Sequence, residues 1–142
     1  MKPDYLAESR FEARKKIDRM LGNPYETLCN CLCFMMSLKG WENASIFWDK
    51  TLLHRNYYSK IKGNQLNSIK KENLMAICVG LELSVRMVEK VFHKAGLILK
   101  EYENPDCIYL SILENKPGLL IDDFNKILIN AGQKPLGTRE RF

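Results

Sequence analysis

Three observations on the sequence predict an all-α fold. Apolar residues recur at helical spacing along most of the chain, as at Leu74, Ile77, Cys78 and Leu81. Glycines stand where several of these periodic segments end, as they often do at helix C-termini. No stretch of useful length alternates apolar and polar residues, so the pattern offers no support for strands.

The first 22 residues are predicted to form an amphipathic helix or arm that leads into one helical domain, residues 23–142. A chain of 142 residues has room for one core of ordinary size but not for two independent ones. Mixed charges in the leading segment surround a set of apolar residues at helical spacing. These residues are Leu6, Ala13, Ile17 and Met20.

The next three helices are predicted from their start and stop residues. Asn23, followed by Pro and then by Glu three residues after the Asn, is typical of a helix start, and the helix is expected to stop at Gly40. A second helix is expected to begin at Asn43. A third spans residues 55–62 and ends at Gly63, which can take a left-handed cap. The apolar residues expected to face inward are Leu28, Leu32, Met35, Met36, Ile46, Phe47, Trp48, Tyr58 and Ile61.

Four more helices are predicted after Gly63. Their expected first residues or caps are Ser68, Ser84, Asp106 and Asp122. The residues expected inside are Leu74, Ile77, Cys78, Leu81, Val88, Val91, Phe92, Ala95, Phe124, Ile127, Leu128 and Ala131. The segment at residues 90–96 also returns in similar form at residues 126–132, which suggests that one helix pair is used twice.

Basic residues are concentrated in the middle of the chain. The formal net charge of +5 is compatible with a nucleic-acid partner without indicating one. Between positions 50 and 71, however, no Asp or Glu accompanies six basic residues. These are Lys50, Arg55, Lys60, Lys62, Lys70 and Lys71. The alternative interpretation of this segment is an ordinary solvated charged face.

Residues 43–62 have the pattern of a helix-turn-helix. A short amphipathic segment is followed, after a gap the length of a turn, by a basic helix. Tyr58 and Ile61 lie three residues apart on that helix and are expected to anchor it, which leaves the opposite, polar side free to meet a groove lined by phosphates.

These residues resemble the five-helix DNA-binding domain of the phage-repressor-like (XRE/Cro) regulators, and more closely a bacterial helix-turn-helix module. The resemblance covers about residues 28–136 and includes the Ala95-Gly96 pair and an acidic start at Asp106. Its two longer stretches are Arg55-x-x-Tyr58-Ser59-Lys60-Ile61 and Lys71-x-x-Leu74-x-Ala76-x-x-x-x-Leu81-x-Leu83. It implies a lambda-repressor-like bundle of about five helices, here extended by a C-terminal helical pair. Such domains are usually dimeric on DNA, with the third helix in the major groove.

The chain departs from the repressor pattern at three positions around the turn. His54 stands where such domains usually place a capping Ser, Thr or Asp. Leu52 stands where many of them have Gly, and Thr51 replaces a small apolar residue.

The polar side of the helix at residues 55–62 carries groups that recognise base edges. Arg and Lys pair with guanine, Asn pairs with adenine, and Ser pairs with either. The predicted base contacts are Arg55, Asn56, Ser59 and Lys60. Tyr57 is expected either to touch a sugar or thymine methyl or to brace the domain. Phosphate contacts are predicted at helix starts and in the loop after this helix, namely at Asn43, His54, Lys62, Asn64, Ser68, Lys70 and Lys71.

The sequence therefore predicts a sequence-specific DNA-binding transcriptional regulator that binds double-stranded DNA as a homodimer. The alternative is a protein-interaction adaptor, or an antitoxin-like module, that retains the helix-turn-helix fold and binds a protein partner. An enzyme is not expected, because the chain has no Gly-rich phosphate loop, no nucleophile motif and no His-x-x-x-His pair.

No cofactor, metal or disulfide is expected either. Cys29, Cys31 and Cys33 alternate along a predicted helix, where residues two apart point about 200° away from each other and cannot converge on one ion. An odd number of cysteines without an export signal argues against a disulfide framework. We expect a cytoplasmic protein without a membrane partner, since no apolar run reaches the length of a membrane span.

Overall fold

A computed structural model of the protein describes residues 2–137, with side chains for residues 10–137. This part of the chain contains helices and no strand, which confirms the all-α prediction. The helices are α1 (Lys2–Gly22), α2 (Leu28–Leu38), α3 (Ala44–Thr51), α4 (Arg55–Lys62), α5 (Lys71–Gly80), α6 (Val85–Lys94), α7 (Asp106–Asn115) and α8 (Ile121–Asn130). Among the described residues, no helix combines the length and the hydropathy that a membrane span requires.

Helices α3, α6 and α7 begin where the sequence predicts. The Asn43 side chain accepts a hydrogen bond from the Ile46 N–H at 3.0 Å and caps α3. The Ser84 hydroxyl accepts from the Met87 N–H at 3.3 Å and caps α6. In α3 and α6 a short polar side chain thus satisfies one of the N–H groups that the first turn leaves unpaired, whereas α7 begins after Pro105 without a side-chain cap.

Three predicted helix starts are wrong. Helix α2 begins after Thr27, whose hydroxyl accepts from the Asn30 N–H, whereas Asn23 caps only a turn by accepting from the Tyr25 N–H. Ser68 does not cap α5, which begins at Lys71 without a side-chain cap. Asp122 lies inside the first turn of α8, where its charge interacts favourably with the helix dipole. The N-cap positions of α5 and α8 are Lys70 and Leu120, so no capping side chain marks where these two helices begin.

Five of the described helices end in the same way, with a left-handed residue followed by an N–H that bonds back across the last turn. Gly40, Gly96 and Gly132 hold this position after α2, α6 and α8. The repeated segments at residues 90–96 and 126–132 therefore correspond to two copies of one helix ending. The predicted left-handed cap at Gly63 is wrong, because its φ is −89° and the next residue, Asn64, has φ 54°.

One hydrophobic core connects the helices, with α5 at its centre. Every residue of α5 from position 74 to position 80 is buried, as expected for a helix with neighbours on all sides. The predicted core positions Leu32, Phe47, Phe92 and Leu128 are fully buried. Ala131 is exposed, contrary to prediction, because it follows the last residue of α8.

Two sets of polar interactions, made by Asp106 and Asn125, hold the C-terminal half against this core. The buried carboxylate of Asp106 accepts from the Lys71 ammonium and from the Lys100 N–H, both at 2.9 Å, and so joins α7 to α5. The buried Asn125 amide bonds both the N–H and the carbonyl of Leu136. This pairing fixes the segment after α8 so that Gly137 lies against Leu52, in the connection between α3 and α4.

Candidate nucleic-acid interface

Three residues, 52–54, connect α3 to α4. Leu52 adopts a left-handed conformation with φ 59°, and its N–H bonds the Trp48 carbonyl at 2.7 Å. The buried Thr51 hydroxyl donates to the Phe47 carbonyl at 2.8 Å and accepts from the Leu53 N–H at 3.1 Å. Two of the residues that depart from the repressor pattern therefore form the turn themselves: Leu52 takes the conformation usually reserved for Gly, and Thr51 ties the backbone on both sides.

The third departure, His54, caps α4 with its imidazole. Its Nδ1 atom accepts a hydrogen bond from the Asn56 N–H at 3.1 Å. A ring that accepts at Nδ1 carries its proton on Nε2, so that the exposed edge of His54 presents an N–H donor to solvent. His54 thus replaces the usual capping residue and remains available to an acceptor such as a phosphate oxygen.

Replacing His54 with Ala should lower the free energy of unfolding by about 1 kcal/mol, the usual cost of losing an N-cap. His54→Asn should restore most of that loss, since Asn is among the best capping residues. Urea denaturation followed by circular dichroism measures both values. His93→Ala removes an exposed histidine that caps no helix and is the matched control. A loss in His93→Ala equal to that in His54→Ala would exclude the cap as the cause.

One side of α4 is anchored in the core. Ile61 is completely buried, and the Tyr58 ring lies 5.6 Å from the ring of Phe47 in α3. The Tyr57 hydroxyl accepts from the Asn73 side-chain amide at 2.7 Å, which ties α4 to α5. Of the two roles expected for Tyr57, the structure shows the bracing one. These contacts determine which side of α4 faces outward.

The α4 polar face, which we define as the side chains of Arg55, Asn56, Ser59 and Lys60, points to solvent. All four residues are exposed. None of these side chains makes a hydrogen bond or an ion pair with another residue in the described part of the chain. The structure therefore brings the four predicted base contacts together on one accessible surface.

The basic residues around this face are mostly not neutralised by the chain. Lys50, Lys60, Lys62 and Lys70 form no ion pair with any residue that the structure describes. Lys71 differs, because its ammonium is bound to the buried Asp106 carboxylate. It is therefore a weaker candidate for a phosphate contact than its sequence position suggested.

The other predicted phosphate contacts differ in whether their polar groups are already used within the chain. Lys62, Asn64, Ser68 and Lys70 are exposed in or beside the loop between α4 and α5. The Asn43 side-chain oxygen is occupied in capping α3, which leaves its amide NH2 as a donor. Ser68 stands two residues before the N-cap position of α5 and so does not mark that helix end.

Sequence reasoning missed three residues that position α4. Thr51 closes the turn, Asn73 holds Tyr57, and Gly137 packs against Leu52. The hydroxyl at position 51 was visible as a departure from the repressor pattern. Nothing in the local sequence indicated the other two, because their partners lie 16 and more than 80 residues away in the chain.

The described residues form no comparable cluster for metal binding or for catalysis by a cysteine nucleophile. No group of three or more His, Cys, Asp or Glu side chains there could hold a metal ion. All five cysteines are free, and burial raises the pKa of the Cys31, Cys33 and Cys78 thiols. These thiols remain protonated at neutral pH and are poor nucleophiles.

Comparison of the chain with protein-family models, with curated proteins and with solved structures gives no significant match. The function therefore has to be inferred from the residues and geometry of the chain itself.

Proposed function

We propose that this protein is a sequence-specific DNA-binding transcriptional regulator, in which α3 and α4 act as a helix-turn-helix and α4 enters the major groove. The observation that carries this proposal is the α4 polar face, which is exposed and unpaired while the opposite side of the same helix is anchored. Surface helices in general bury one side and expose the other, but the exposed side of α4 combines groups that recognise base edges with the absence of any acidic residue in the helix.

The dimensions and chemistry of α4 suit a major groove. An α-helix with its side chains is about 10–12 Å in diameter, which fits a major groove about 12 Å wide. Arg55 and Lys60 supply donors for guanine, and Asn56 supplies the donor and acceptor pair that adenine requires. A fixed helix axis would present these groups at a defined register, since Tyr57, Tyr58 and Ile61 hold the other side.

The surrounding basic residues suit the flanking phosphates. Lys62 and Lys70 are exposed at the two ends of the loop between α4 and α5, and the His54 Nε2–H is exposed at the start of α4. Cationic groups on either side of a base-reading helix set its position on the duplex and make affinity depend on salt. The resemblance to repressor-like domains adds the proposal that the protein binds an inverted repeat as a homodimer.

Arg55→Ala and Lys62→Ala should weaken DNA binding in different ways. Once a preferred duplex has been selected, Arg55→Ala should weaken the free energy of binding to it by on the order of 1–3 kcal/mol and relax the preference at one base pair. Lys62→Ala should weaken binding to all duplexes and reduce the salt slope by about one unit. Fluorescence anisotropy at several salt concentrations measures both effects. Lys116→Ala, which removes an exposed lysine between α7 and α8, is the matched control.

Two outcomes would contradict this assignment. Unchanged binding of Arg55→Ala to every duplex tried would exclude α4 as the base-reading helix. A complete lack of salt-sensitive binding by the wild-type protein to any duplex would instead favour the alternative, in which the same exposed face docks on a protein partner.

A further inference from the structure

A cavity of about 790 Å³ lies where α5 begins, beside α7 and the segment that follows α8. Its volume is within the range of small-molecule binding sites. The lining includes Lys70 just before α5, Asn73 of α5, Tyr109 of α7, and Lys134 and Gly137 of the C-terminal segment. Of the residues that line this cavity, Lys70 is also a predicted phosphate contact, whereas the residues of the α4 polar face do not line it.

Tyr109 forms an inner wall of this cavity and has an unused hydroxyl. The residue is only 3% exposed, and its ring packs on Phe124. Its hydroxyl makes no hydrogen bond to any residue that the structure describes. No side-chain polar atom in the described part is both sealed from space and unpaired, so the Tyr109 hydroxyl must border the open cavity. A hydroxyl with this access is hydrated in the empty cavity and can donate to a bound acceptor in place of that water.

The hydroxyl is a hydrogen-bond donor at any physiological pH. Burial, with smaller contributions from the carboxylates of Glu72 and Asp106, raises the pKa of Tyr109 to about 12. The group therefore stays protonated and can donate to an acceptor in the cavity.

The remaining polar groups at this cavity favour an anion. Lys70 and Lys134 are exposed at its edge and have no ion-pair partner among the described residues. Glu72 is the lining carboxylate that opposes them, while the nearby Asp106 is already paired with Lys71. Helix α5 has no side-chain cap, and while the Asn73 N–H bonds the Lys70 carbonyl, the N–H groups of Lys71 and Glu72 are open to a ligand.

We propose that this cavity binds a small organic anion, a carboxylate or a phosphate ester, which accepts hydrogen bonds from the Tyr109 hydroxyl and from the first turn of α5. Lys70 and Lys134 provide the opposing charge. A bound anion would also affect the position of α4. The cavity wall at Gly137 lies against Leu52 in the α3–α4 turn, and the lining residue Asn73 holds Tyr57 of α4. The effect on DNA rests on the proposed function; binding of the anion does not.

Nuclear magnetic resonance titration of the full chain with phenyl phosphate and with benzoate tests binding without DNA. At constant ionic strength, either anion should cause saturable amide shifts that are largest at residues 70–73, 109 and 132–137, and neutral phenol should cause none. Tyr109→Phe keeps the ring and should weaken the affinity about ten-fold, as expected for loss of a hydrogen bond to a charged group. Tyr102→Phe, at a 95% exposed tyrosine, should leave it unchanged.

Three results would overturn the proposal: no saturable shifts with either anion, shifts spread evenly over surface lysines, or equal affinity in wild type and Tyr109→Phe. A spectrum of Tyr109→Phe that matches the wild type outside the cavity shows that the variant is folded.

A second measurement compares the affinity for a preferred duplex with and without the anion. The anion should change the duplex affinity of the wild type about five-fold or more, and that of Tyr109→Phe much less.

The same measurements separate this proposal from the proposed function. If the anion binds but no duplex does, the cavity site stands and the DNA-binding function fails. If the duplex displaces the anion and Tyr109→Phe weakens duplex binding without any anion present, the site belongs to a DNA phosphate, and the proposal of a small-molecule ligand is wrong.

Discussion

Asp106→Ala should lower the free energy of unfolding by about 3 kcal/mol. The Asp106 side chain is 8% exposed and accepts hydrogen bonds from the Lys71 ammonium and the Lys100 N–H. Removing one partner of a buried ion pair typically costs 3–5 kcal/mol, roughly, because the other charge loses its compensation. The lower end applies here, since the Lys71 side chain is 30% exposed and can turn toward water.

Asp18→Ala is the matched control for this substitution. It breaks an ion pair of similar length, 2.8 Å to Lys90, in which both side chains are well exposed. Such surface pairs contribute less than about 1 kcal/mol. Thermal and urea denaturation of the two variants measures the difference, and equal losses would show that burial of Asp106 has no special importance. Asp106→Asn, which keeps an acceptor for the Lys100 N–H, should fall between the two.

Helix positions were predictable from the sequence because their causes are local. The apolar spacing in residues 74–81 and the glycines at positions 40, 96 and 132 act within one or two turns. Helix starts were predicted less well. Asn23 and Thr27 can both cap a helix, and only packing of the resulting helix decides between them.

The outward-facing residues of the candidate site were also predictable, for a similar reason. Once Ile61 is assigned to the core, the 3.6-residue period places Arg55, Asn56, Ser59 and Lys60 on the other side of α4. Their partners were not predictable. Lys71 belongs to the same basic segment, yet its charge is taken up by Asp106, 35 residues later in the chain. Contacts at that separation depend on the packed fold and leave no local pattern.

Gly80→Ala should destabilise the protein by at least about 2 kcal/mol, although Ala is normally the better residue in a helix. A Cβ atom at position 80 would lie 2.7 Å from the Lys50 carbonyl oxygen and 3.0 Å from both the Thr51 methyl and the end of the Trp41 ring. The nearest of these is backbone and cannot rotate away. Overpacking against a backbone atom this close should cost about 3 kcal/mol or more, the upper end of the usual range, and the gain of about 1 kcal/mol from replacing a helical glycine offsets only part of it.

Gly22→Ala makes the same chemical change at the end of α1, where an added Cβ would meet nothing within 4 Å. Its free energy of unfolding should stay the same or rise slightly. The two variants therefore separate local crowding from intrinsic helix preference, and a Gly80→Ala variant as stable as Gly22→Ala would refute the close approach of α5 to α3.

The methyl group added by Gly80→Ala should also displace residues that position the candidate interface. Lys50 and Thr51 are the last residues of α3, and Thr51 ties the turn that leads into α4. Relief of the clash would shift that turn, so the folded fraction of Gly80→Ala should bind a preferred duplex more weakly than wild type. Anisotropy at a temperature where both variants are folded measures this. Unchanged affinity would show that α4 is positioned by Tyr57, Tyr58 and Ile61 alone.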